Sequence, residues 1–281
     1  MKADSINLDN IVRSVALISD THIGSDYAPW PEEPIYTDTG KNLSGMASPA
    51  QLQLLKGWYS FVDTCDEFKV DTVIHLGDAC QGCNPKEGGV DTVTPDMNYQ
   101  VDAASAFLEP LVRDKLYYQF SGTRYHEALN YKIHDDLVAK LAPICKQATF
   151  YGKFANLHLR GTNKTLNLAH ACTSALMYPS SSLDREITFT KVAIAEGKIP
   201  KPDYIIRGHL HKYIHLDYFD MHGLQLPAWQ AWYPLGDKVR LYGRTQPDIG
   251  GVILLVDKDS RSFILHFTYK SPKVVDFVQD A

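Results

Sequence analysis

The chain of 281 residues contains no run of 18 apolar residues, about the shortest stretch that reads as a membrane-spanning helix. Its opening, MKADSINLDNIVRS, has no apolar core of the kind a signal peptide needs. A basic excess is also missing: 28 Lys and Arg face 33 Asp and Glu, a net charge of −5. Tight, sequence-independent binding to long duplex DNA rests on Lys and Arg neutralising phosphates, so the charge balance counts against it. No linker-like run of Pro, Gly and Ser, no charge block and no fixed-period repeat divides the sequence. One domain over residues 1–281 is therefore expected. Cys65, Cys80, Cys83, Cys145 and Cys172 are odd in number and irregularly spaced. That pattern fits reduced thiols in a cytoplasmic protein better than a disulfide framework.

What the chain does have is apolar residues, 44% of the total, enough for a large core. Residues 12–18, VRSVALI, form a short β-prone run that stops at SDTHIG, and residues 24–48 read as a long loop. Leu52, Leu55, Trp58, Val62 and Cys65 fall at helical spacing within 49–67. The strand VDTVIHLGD follows, then a two-glycine loop, a helix near 96–112, the strand KLYYQF and a helix running to about residue 141. Two β-like runs, FYGKFANLHLR and KTLNLAHAC, lead to a helix at 182–197. DYIIRGHLH and four more β-like runs, over 213–269, complete the chain. Strands alternating with helices imply a largely parallel sheet, and the later hairpins a second, more antiparallel one. The expected fold class is α/β: two packed sheets with helices on the outer faces.

Chemistry concentrates at the predicted strand ends. Asp20 and His22, in SDTHIG, are two residues apart, and in extended backbone such a pair points to one face and reaches a single ion. Asp78 follows Gly77, which permits close backbone approach. His170 ends LNLAH, and His209 and His211 in RGHLH repeat the spacing of the first pair. Taken singly, each is more often a hydrogen-bonded core residue. As an ordered set at strand ends, where α/β sheets bind ligands, they point to a metal site. Mixed carboxylates and imidazoles suit manganese, iron or zinc better than calcium or magnesium.

With these motifs the sequence resembles the calcineurin-like metallophosphoesterase superfamily over residues 12 to about 270. The resemblance implies a two-sheet α/β/β/α sandwich. It implies two divalent metal ions, manganese first, with iron, zinc, magnesium or nickel as alternatives. One ion would be held by Asp20, His22, Asp78 and His211, the other by Asp78, His170 and His209, with Asp78 bridging. A hydroxide shared between the ions would attack the phosphorus in line. His126 would be the catalytic histidine, protonating the leaving oxygen or stabilising charge on the phosphate.

Two departures from the superfamily pattern bear on substrate. The box that reads G-N-H-D or G-N-H-E in the superfamily is Gly122-Thr123-Arg124-Tyr125-His126-Glu127 here, a spelling similar to a branch common in phage and prophage genomes. Its Asn normally ligates the second metal. Thr123 either replaces it, directly or through water, or caps the following helix. The inserted Arg124 and Tyr125 would then touch substrate. The protein phosphatases spell G-D-x-x-D-R-G, whereas this chain reads Gly77-Asp78-Ala79-Cys80-Gln81-Gly82, without the orienting Asp or the phosphate-gripping Arg.

The expected function is accordingly a metal-dependent phosphodiesterase or nuclease on nucleic acid or nucleotides. A phosphomonoesterase and a non-catalytic scaffold are the alternatives. The expected partner is the phosphodiester substrate, with no membrane, and a homodimer is allowed. Residues 226–248 interleave Trp229, Trp232, Tyr233 and Tyr242 with Lys238, Arg240 and Arg244, a texture equally suited to stacking bases and to a packed hairpin. Cys80 and Cys83 form a C-x-x-C without a second pair and read as loop thiols. His75 reads as a satisfied core histidine and His134 as a surface one.

Overall fold

Alternation decides the layers. In a computed structural model of the chain, residues 6–83, 89–127, 132–170, 178, 180–231 and 246–272 are described. The first strand, β1 (Ile11–Ile18), sends Val15 and Leu17 to one side and Ala16 and Ile18 to the other, all fully buried. A strand covered on both faces reads as a continuous apolar run, and its neighbour β10 (Ile249–Asp257) behaves alike. Around them lie β2 (Thr72–His75), β3 (Leu116–Gln119), β4 (Gln147–Phe150) and β11 (Ser262–Tyr269). The six-stranded order is β11-β10-β1-β2-β3-β4. From β1 to β4 the pairing is parallel, and β10 and β11 add antiparallel edges.

The second sheet has the order β5-β6-β7-β9-β8, built from β5 (Phe154–His158), β6 (Thr165–Ala169), β7 (Tyr204–Arg207), β8 (Ile214–Tyr218) and β9 (Met221–Gln225). Val15, Leu17, Ile74 and Leu254 of the first sheet meet Leu166, Leu168, Ile206 and Leu224 of the second in one buried cluster. Truncating one such side chain to alanine costs about 2–5 kcal/mol.

Helices α1 (Pro49–Glu67), α2 (Met97–Val112) and α3 (Ile133–Leu141) supply buried residues to the cluster that covers the other face of the first sheet. On the far side α4 (Ser181–Ala195) covers the second sheet through Leu183 and Ile187. The α/β/β/α layering expected from the sequence is the one observed. Helix α1 starts where the sequence signals it: Ser48 and Gln51 form a reciprocal capping box with Pro49 in the first turn.

Three expectations are corrected. The run from residue 150 to 160 is not one strand: Gln147–Phe150 closes the first sheet, and Phe154–His158 opens the second. The box does not lead directly into a helix, because residues 124–126 form a turn and α3 begins at Ile133. His134 is not a surface residue. It is buried, its Nε2 lies 2.6 Å from Glu127 Oε1, and its ring stacks on Phe150. No helix among the described residues is long and apolar enough to cross a membrane.

Candidate metal centre

The site forms where β1, β2, β3, β6 and β7 end. Asp20 and His22 follow β1, Asp78 follows β2, the box follows β3, His170 follows β6, and His209 and His211 follow β7. The extended-backbone argument for the paired residues does not hold in detail. Asp20 (φ 54°), His22 (φ 45°), Asp78 (φ 51°), His209 (φ 78°) and His211 (φ 53°) are all left-handed. Asp and His tolerate that region better than most residues, but each such residue still costs roughly 1–2 kcal/mol. The chain turns sharply at each strand end, and the turns bring the side chains together.

Three donor sets result: Asp20 with His22 and His211, Asp78 with His170 and His209, and His22 with Asp78 and His126. Asp20 Oδ1 lies 3.2 Å from His211 Nε2, 3.7 Å from His22 Nε2 and 3.9 Å from His170 Nε2. Asp78 Oδ2 lies 3.0 Å from His170 Nε2 and 4.0 Å from His126 Nε2. The other oxygen of each carboxylate is tied to a backbone N–H: Asp20 Oδ2 accepts from His209 at 2.8 Å, and Asp78 Oδ1 from Thr123 at 2.7 Å. Gly122 permits the second tie, since a Cβ there would lie 1.9 Å from Asp78 Oδ1.

Both carboxylates are buried, and among the described residues their ion pairs are with histidines alone. Burial alone would raise Asp20, but His170 and His211 hold it well below the usual carboxylate range. Asp78 is held low in the same way by His170 and His126. His170 shows the converse: burial opposes its charge, yet Asp78 and Asp20 push it up to about 9. Burial and the neighbouring His126 bring His22 down to about 4. His209 is lowered by burial and by His170.

These residues fit divalent metal. His22 Nε2 and His211 Nε2 are 3.2 Å apart, and two imidazole lone pairs at that distance need a proton or a cation between them. Asp20 Oδ1, though close to three histidines, is buried without an aligned hydrogen bond, as is His22 Nδ1. Two buried, ionised carboxylates packed among imidazoles form a donor set that a divalent ion stabilises.

Two histidines are oriented by backbone carbonyls. His170 Nδ1 faces the Leu76 carbonyl at 2.6 Å and His126 Nδ1 the Gln81 carbonyl at 2.5 Å. A carbonyl only accepts, so each Nδ1 carries the proton and each Nε2 turns inward. Thr123 does not cap α3, whose N-cap is Lys132. Its hydroxyl lies 3.2 Å from both Asp78 oxygens and donates to that carboxylate. Arg124 is exposed, and the half-buried Tyr125 presents its ring edge-on to His126, 5.0 Å between centroids.

His75 is fully buried and hydrogen-bonded to Thr21 and Gly77, as a core histidine should be. In the aromatic and basic segment, Trp232, Tyr233, Lys238, Arg240, Tyr242 and Arg244 lie outside the described residues. So does Cys172. Trp229 is not a stacking platform: it is fully buried between Trp58 and Phe61. Sequence reasoning missed the carbonyls of Leu76 and Gln81, which no side-chain motif encodes.

No family model matches the chain, and no curated protein does. Solved structures similar to it include a novel archaeal phosphodiesterase, 13% identical, covering 90% of this chain and 99% of that one at a TM-score of 0.45. Zinc-complexed Vps29 from Entamoeba histolytica is 12% identical over 92% of this chain and 99% of its own, with a TM-score of 0.44. A predicted phosphoesterase from Streptococcus pneumoniae is 13% identical over 91% and 97%, at 0.34. These are likenesses in the course of the chain, and the chemistry of the site rests on its own residues.

Proposed function

We propose that the protein is a metal-dependent phosphoester hydrolase acting on phosphodiesters, with nucleic acid or nucleotides as the substrate class. One observation carries the reading. The sets Asp20–His22–His211 and Asp78–His170–His209 stand side by side, with His126 Nε2 4.0 Å from Asp78 Oδ2. Each set would hold one divalent ion, and manganese, iron or zinc suits the donors. When bound, such ions neutralise phosphate charge and acidify an attacking water. The protein's own residues do the rest. Asp20 and Asp78 supply the charge that retains the cations, and Thr123 fixes the orientation of Asp78. His126 is anchored at Nδ1, so its protonated ring would donate from Nε2 to the leaving oxygen.

A diester is favoured by what is absent. Gln81 and Gly82 stand where the resembling phosphatases place an orienting Asp and a phosphate-gripping Arg. The exposed Arg124, with Tyr125 beside His126, would instead meet the second ester arm. Comparison of bis(4-nitrophenyl) phosphate with 4-nitrophenyl phosphate, with manganese added, tests this. The diester is expected to turn over faster. Hydrolysis of the monoester alone would make the protein a phosphomonoesterase. Purified protein that binds no divalent transition metal would overturn both. His126→Ala should keep its metal and lose about 10²–10⁴-fold in turnover. Full activity in that variant removes His126 from the assigned role.

A further inference from the structure

Gln100 is an anomaly on the apolar stripe of α2, between Met97, Val101 and Ala104, and its side chain is fully buried. A buried amide must be fully hydrogen-bonded to avoid a penalty, and this one is. Its Oε1 accepts from the Gly82 N–H at 2.9 Å, and its Nε2 donates to the carbonyls of Gly82 at 3.0 Å and Thr94 at 2.7 Å. Gln100 thus grips both backbone polar groups of one loop residue, as a neighbouring strand would.

The gripped residue lies next to the carbonyl that orients His126. Gln81 donates its N–H to Ile23 and its carbonyl faces His126 Nδ1, while its side-chain oxygen accepts from Gln230. Gly82 also touches His126 directly: a Cβ there would lie 2.6 Å from the His126 carbonyl oxygen and 2.9 Å from its Cα. A shift of the loop at Gly82 would therefore move the anchor of the imidazole and the backbone that carries it. Among the described residues, the Gln81 backbone carbonyl is the hydrogen-bond partner of His126 Nδ1.

We infer that Gln100 is a positioning residue: by clamping Gly82 it holds the Gln81 carbonyl that fixes the tautomer and aim of His126. The inference rests on the hydrolase reading, in which His126 protonates the leaving oxygen. Misplacing a proton donor matters most when the leaving group is poor. Gln100→Met keeps the volume and removes all three hydrogen bonds. It should lower turnover of an unactivated dinucleotide on the order of 10- to 100-fold, but reduce that of bis(4-nitrophenyl) phosphate far less, at unchanged metal content.

In the double variant with His126→Ala, Gln100→Met should add nothing further, because it acts through the missing ring. Losses that multiply in the double variant, or equal losses on both substrates, would overturn the inference. A second readout needs no turnover. In zinc-loaded protein, the His126 Nδ1–H proton, identified by its absence in His126→Ala, should be exchange-protected in the parent and lost in Gln100→Met. If Gln100→Met fails to fold, Gln100→Glu, which keeps the acceptor for the Gly82 N–H and removes both donors, should give the same loss of the proton. If the parent hydrolyses neither substrate, the hydrolase reading falls and this proton alone decides: its persistence in the variant refutes the positioning role.

Discussion

The ends of β1 and β2 hold their carboxylates by one plan and finish it differently. Each Asp sits in left-handed backbone, ties one oxygen to an N–H of another strand end, and turns the other toward histidines. The two segments also run side by side, with Asp20 N–H bonded to the Gly77 carbonyl, His22 N–H to that of Asp78 and Ile23 N–H to that of Ala79. The difference lies in the third partner. Asp78 gains the Thr123 hydroxyl and faces His126, whereas Asp20 has no hydroxyl partner among the described residues and faces His22 and His211. On the proposed reading the β1 end would retain a cation, and the β2 end would retain one beside His126 as the proton donor.

Breaking each end separately sharpens the contrast. Asp78→Ala removes a donor from two of the three sets and should have the largest effect. Several kcal/mol of electrostatic stabilisation is at stake, which corresponds to about a 10³-fold loss of turnover. Metal content should fall at the same time. Asp20→Ala should also lose metal, but leave the Thr123 and His126 contacts of Asp78 in place. Metal analysis showing both variants fully loaded would remove the carboxylates from the site. Thr123→Val comes next: it keeps the N–H that ties Asp78 and deletes only the hydroxyl. Losing an outer partner of a ligand typically costs about 10- to 100-fold in affinity or activity. No loss of metal affinity or of turnover would show that the backbone tie alone suffices.

The parts of this arrangement that were legible share a physical origin. Strands buried on both faces leave apolar runs, so β1 and β2 could be read directly and β10 fell among the β-like runs of 213–269, while α1 was legible in the helical spacing of Leu52, Leu55, Trp58, Val62 and Cys65. The residues that converge were legible because imidazoles and carboxylates at successive strand ends form a distinctive order. What could not be read is backbone. The left-handed turns at Asp20 and His209 and the carbonyls that orient His126 and His170 leave no side-chain signature. Gln100 left a faint one, a lone amide on the apolar stripe of α2. His134 was misread because its partner, Glu127, lies outside its helix and enters through the turn that precedes it.

His75 gives the smallest effect and tests how rigidly the two strand ends are joined. Its Nε2 bonds the Thr21 hydroxyl beyond β1, and its Nδ1 accepts from the Gly77 N–H beyond β2. Accepting at Nδ1 makes the ring neutral, and burial brings it down from 6.5 to about 3. Between these values the unfolded chain protonates His75 and the folded chain does not, so stability falls as pH drops through that window. His75→Asn keeps an acceptor for Gly77 and cannot titrate. It should melt below the parent at pH 7, because the link to Thr21 is gone. Its melting temperature should then fall less than the parent's on acidification to pH 4, measured with chelator present in both. Parallel pH profiles would mean that His75 is protonated in the fold, and that the β1 and β2 ends are joined by their backbone hydrogen bonds rather than through this ring.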